Sequence, residues 1–82
     1  MDAEQDIRRF IIEQTGWTEP ATALTADYPL VENGVLDSLA IFQVVTFLED
    51  RYQIEIDDEE LVPENFETIN DIVRIVTAKA AT

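Results

Sequence analysis

Apolar residues recur at helical spacing near both ends of this chain, and that recurrence decides its fold class. Ile7, Phe10 and Ile11 fall with Gln14 at i, i+3, i+4 and i+7, and Ile69, Ile72, Val73 and Val76 repeat the interval. Between them, a segment from Asp37 or Ser38 to about Tyr52 carries Phe42, Val45, Leu48 and Tyr52 on one stripe, a rod of about 22 Å. Ile54 and Ile56 alternate as a strand would, but nothing else in the chain offers them a partner strand, so they read as an extended connector. The spacing predicts an all-α fold.

The ends of these segments agree with their periods. Asp2 can cap the first helix, which runs from about Ala3 to Thr15; Glu4 and Asp6 complement its dipole, and Gly16 stands where a left-handed residue is wanted. Thr68 caps the last helix, with Asp71 three residues on in a box-like pair, and that helix ends near Ala80. A short helical turn over Asp58 to Val62 stops before Pro63. From Thr18 to Leu36 no period is sustained, and Pro20, Pro29 and Gly34 punctuate a long loop, pinned by Leu24, Tyr28, Leu30 and Val35. The expected architecture is a small four-helix bundle with a long loop between its first two helices and a short third helix.

With 82 residues and no cysteine, the chain is expected to be one domain over residues 1–82, held by packing alone. The core positions expected from the pattern are Ile7, Phe10, Ile11, Leu24, Leu30, Phe42, Val45, Leu48, Tyr52, Ile54, Ile56, Phe66, Ile69, Ile72, Val73 and Val76.

A formal net charge of −13 argues against nucleic acid, which needs a basic face, and against anionic membranes. It favours a partner with a basic surface, and salt should stabilise the fold by screening self-repulsion. No signal-peptide pattern and no apolar run of membrane length is present, so a cytosolic location is expected. Arg8 and Arg9 carry no functional reading beyond charge balance.

The chain holds no His and no Cys. A serine nucleophile therefore has no base, and neither a Gly-x-Ser-x-Gly elbow nor a Gly-rich phosphate loop is present. The run Asp57-Asp58-Glu59-Glu60 lacks the alternating ligands and central glycine of a calcium loop and reads as a solvated helix start. Neither catalytic residues nor a metal site is expected. Ser38 stands where the polar loop meets the apolar helix, and it is either a cap or an attachment point. Beside it, Leu39 and Phe47 fall away from the core stripe and would leave apolar surface exposed, a candidate docking face.

The run Asp37-Ser38-Leu39, preceded by Leu30 and Gly34 and followed by an apolar helix in a small, very acidic chain, resembles the acyl and peptidyl carrier proteins. The resemblance covers nearly the whole chain. It implies a non-enzymatic carrier whose Ser38 receives 4′-phosphopantetheine from coenzyme A through a separate magnesium-dependent transferase, with cargo held as a thioester on the arm. It also implies that Asp37 helps the transferase position metal and serine, and that Leu39 touches partner enzymes. Ala40 and Gln43 complete the expected docking face with Phe47. The partners implied are the transferase and cargo-loading and cargo-processing enzymes, and the carrier itself is expected to be a monomer.

Three departures separate this chain from fatty-acid carriers. Ala40 and Gln43 stand where acids are usual, the loop from Gly34 to Asp37 is one residue longer, and the connector Val62 to Thr68 is extended. These features resemble stand-alone carriers of polyketide or nonribosomal peptide pathways. A D-alanyl or fatty-acid carrier is the alternative within the family. Outside it stand an acidic helical interaction module whose Ser38 is only an N-cap, and an acidic metal-binding regulator.

Overall fold

A computed structural model describes residues 3–80. Three α-helices order the chain: α1 (Ala3–Thr15), α2 (Ser38–Tyr52) and α3 (Ile69–Ala80). Helix α1 packs on both others, and α2 also meets α3. The expected cap Asp2 lies outside the described residues. No strand forms among the described residues, and Ile54 and Ile56 lie in an extended connector.

The short third α-helix does not form. In its place are two 3₁₀ turns, Asp58–Glu60 and Pro63–Phe66. Pro63 explains the division: it has no amide hydrogen to continue the first turn, and it sets the start of the second. The second turn places Phe66 in the core, fully buried.

Ile7, Ile11, Leu24, Leu30, Val45, Leu48, Ile56, Phe66, Ile69, Ile72 and Val76 are buried as their spacing requires, while Phe10, Tyr52, Ile54 and Val73 pack half-buried against them. Phe42 does not join the core; it is 61% exposed. Val44 and Leu36 are buried instead. α2 is apolar on nearly every side over its first three turns, so its period does not fix which stripe faces inward. Both Phe42-Val45-Leu48 and Ile41-Val44-Val45-Leu48 fit, and the second is chosen by packing on α1 and α3.

The long loop is tied down at each of its bends. A 3₁₀ turn at Ala21–Ala23 follows Pro20, and the Arg8 Nε donates to the Leu24 carbonyl at 2.7 Å. Arg8 is thus a staple between α1 and the loop, beyond its role in charge balance. Trp17 meets Tyr28 edge to face at 5.3 Å. Further on, the Leu30 amide donates to the Glu67 carbonyl at 2.7 Å and the Asn70 amide to the Ala26 carbonyl at 3.0 Å. These bonds fasten the loop to the start of α3. Gly34, at φ 76°, then turns the chain toward α2.

The acidic run after α2 is built into the scaffold. Asp57 and Glu60 form a capping box around their own turn, and the Lys79 ammonium reaches Glu60 at 2.6 Å and Asp57 at 3.7 Å. The Lys79 hydrogen bond and the Asp57 amide hold the Glu60 carboxyl below its ordinary value. Hydrogen bonding to Glu60 raises Lys79. A depressed carboxylate adds stability above its unfolded titration range and loses it as pH falls through the lower folded value. The raised lysine adds stability that persists until pH climbs through its own elevated value. Lys79→Met should therefore move Glu60 back toward the ordinary glutamate range in an NMR titration of its side-chain carboxyl; an unmoved titration would contradict this clamp.

Candidate functional site

Ser38 is held at the surface by the residues that precede it. Leu36 is buried, with its amide donating to the Leu30 carbonyl at 3.1 Å, and Val35 beside it makes a 2.8 Å bond to the same oxygen. This double tie fixes the chain two residues before the serine. Asp37 then turns out in extended backbone, and its carboxylate accepts from the Ala40 amide at 2.8 Å. Its carbonyl accepts the first helical bond, from the Ile41 amide at 2.9 Å.

Asp37 is therefore the N-cap of α2, and Ser38 is the first helical residue, exposed to solvent. The reading of Ser38 as a cap is corrected by this geometry. Because the capping task falls to Asp37, the Ser38 hydroxyl is spared for another use. It is also the one serine in the chain. Removing the cap costs about 1 kcal/mol in comparable helices. Asp37→Ala should lower stability by about that amount in urea titration, while Asp37→Asn, which keeps a capping oxygen, should lose less; equal losses would refute the capping role.

What the position offers chemically is electrostatic. A helix start exposes amide donors and the positive end of the backbone dipole, which suit an anion such as a phosphodiester. The serine hydroxyl faces open solvent, so a bulky group can be attached without displacing packed side chains. The residues present thus fit a phosphopantetheine arm on Ser38.

The expected docking residues separate on inspection. Leu39 is 66% exposed, Gln43 is exposed and Ala40 is half-buried. Phe47 is not the exposed aromatic. Its ring stacks on Phe10 at 4.2 Å and 16°, and it is half-buried between α1 and α2. Phe42 takes the outer position instead. The signal that could have found it is the spacing Leu39, Phe42, Gln43 and Thr46, itself a helical stripe. Elsewhere, no helix among the described residues is long and apolar enough to cross a membrane.

Residues 5–76 match the family described as "Phosphopantetheine attachment site". Over 53 residues the chain is 38% identical to a probable acyl carrier protein, PigG, of Serratia sp. (strain ATCC 39006), a match spanning 65% of this chain and 61% of that relative. It is 30% identical over 78 residues to an acyl carrier protein of Helicobacter hepaticus (strain ATCC 51449 / 3B1), covering 95% of this chain and 97% of that one. The chain belongs to the phosphopantetheine-attachment family of acyl carrier proteins, non-catalytic carriers that bear the pantetheine group covalently and meet a phosphopantetheinyl transferase and biosynthetic enzymes.

Proposed function

We propose that this protein is a discrete carrier, one domain over residues 1–82, whose 4′-phosphopantetheine is attached at Ser38. The observation that carries the reading is the division of roles at the start of α2: Asp37 caps the helix and the neighbouring serine, alone of its kind in the chain, is left exposed. When bound, the arm supplies the thiol that this cysteine-free chain lacks, for holding cargo as a thioester. Asp37 keeps the serine on a rigid helix end, and the first-turn amides face the phosphate. In the transferase complex Asp37 also helps position magnesium and the serine hydroxyl. Leu39, Ala40 and Gln43 belong to the partner-facing side.

The pathway we propose is specialised polyketide or nonribosomal peptide synthesis. Support comes from the uncharged stretch after Ser38, with Ala40 and Gln43 in place of acids, and from the similarity to PigG. Incubation with coenzyme A, magnesium and a broad-specificity phosphopantetheinyl transferase tests the carrier reading. The expected result is a mass gain of a single phosphopantetheinyl group; no gain on the folded protein would overturn it.

A further inference from the structure

The surface beside Ser38 is unlike the rest of this acidic chain. No charged residue occurs from Ser38 to Leu48, in a protein of formal net charge −13. Along the outer side of that stretch, Leu39 and Phe42 stand exposed one turn apart. On the α1 side of Phe42 lies a furrow of about 410 Å³, floored by the stacked rings of Phe10 and Phe47. It shares Gln14 and Gln43 with a second hollow that reaches Asp37 and Leu39. A trough therefore leads from the attachment residue along the seam between α1 and α2, with Asp37 at its near end and Asp50 at its far end.

The chemistry of the trough selects its occupant. An aromatic floor gains from covering by another apolar group, in proportion to the area removed from water. The acids at its two ends, and the field of the whole molecule, favour cations around that group. A second copy of the chain would bring the same large negative charge with it and is repelled.

Resting on the carrier reading above, we infer that the α1–α2 furrow receives an apolar side chain of leucine or phenylalanine size, projected from a basic surface of a partner enzyme, with Phe42 as its main contact. The two parts of the recognition act at different stages. Charge steers the encounter and sets the association rate, which falls as salt rises. The apolar contact sets how long the complex lasts, and so the dissociation rate.

The probe is a synthetic helical peptide with a leucine and phenylalanine stripe flanked by lysines, titrated into the full-length ¹⁵N-labelled protein. Controls are a scrambled peptide and one with glutamates for the lysines. Amide shifts confined to the furrow, around Phe10, Gln43 and Phe47, are expected from the basic peptide alone. Phe42→Ala should weaken binding about tenfold, as a central contact does, and Phe42→Met should restore most of it. Phe42 is exposed, so these variants keep the fold, which the unperturbed spectrum verifies.

Four results overturn the inference: no furrow shifts with the basic peptide, shifts spread over the acidic surface, indifference to Phe42→Ala, or equal binding by the glutamate peptide. Furrow shifts that grow with protein concentration alone would assign the surface to a second copy. Shifts that appear on acyl loading and exclude the peptide would assign it to cargo. Both also overturn the inference. The mass gain with coenzyme A involves no peptide, so the carrier reading stands or falls separately.

Discussion

Ser38→Ala is expected to abolish phosphopantetheine loading completely while leaving the fold nearly untouched. The two halves of that expectation come from the same geometry. Loading is lost because the chain has no second serine to accept the group. Stability is kept because Asp37, and not Ser38, accepts the Ala40 amide and caps α2. Alanine is also a good residue at the start of a helix, so the urea midpoint should change by no more than about 0.5 kcal/mol in equivalent free energy. Asp37→Ala shows the complementary pattern at the neighbouring position, with a measurable loss of stability. A Ser38→Ala protein that still gains the full mass would refute the assignment. One that unfolds would show that the serine supports the helix in a way the capping geometry does not contain.

Phe66→Ala is expected to have the largest effect on the fold. Phe66 is fully buried, at the end of the 3₁₀ turn packed against α3, and deleting a buried phenylalanine side chain typically costs about 3–5 kcal/mol. The entire stability of a natural domain is about 5–15 kcal/mol, and small domains lie toward the lower part of that range. Mutual repulsion within a chain of net charge −13 lowers the reserve further. The variant should be largely unfolded at low salt by circular dichroism, with partial recovery when salt is raised. Phe42→Ala removes an equally large ring from an exposed position and should change stability by about 0.5 kcal/mol or less. If the two substitutions cost the same, the placement of α2 is wrong.

That contrast marks where the sequence could be read and where it could not. α1 and α3 each have one apolar stripe and a charged opposite face, so their periods fix both their limits and their inward sides. The caps at Gly16 and Thr68 follow from local chemistry and stand as expected, with the Thr68 hydroxyl accepting the Asp71 amide at 3.1 Å. α2 has apolar residues on most sides because one side packs and another is exposed near Ser38. Two stripes then satisfy the same period, and only the neighbouring helices decide between them. Phe42 and Phe47 exchange roles for this reason.

Contacts distant in sequence were hidden for a different reason. Arg8 reaching the Leu24 carbonyl, and the bond from the Leu30 amide to the Glu67 carbonyl, depend on how the loop crosses the helices. No spacing in the sequence encodes them. The division of the expected third helix into two 3₁₀ turns was legible in part, since Pro63 signals a break but does not specify the second turn beyond it. At the site, the pairing of Asp37 with Ser38 was visible. Which of the two caps the helix was settled by the position of one carboxylate oxygen relative to the Ala40 amide.

The central claim is that Ser38 bears the arm, and peptide mapping of the loaded protein tests it most directly. Trypsin cleavage after Arg9 and Arg51 releases the segment from Phe10 to Arg51, which contains Ser38 together with several threonines. After loading with coenzyme A and the transferase, the whole added mass should lie on this segment, and fragmentation should place it on Ser38. Added mass on a threonine or a lysine, or a folded protein that takes up none, would contradict the claim.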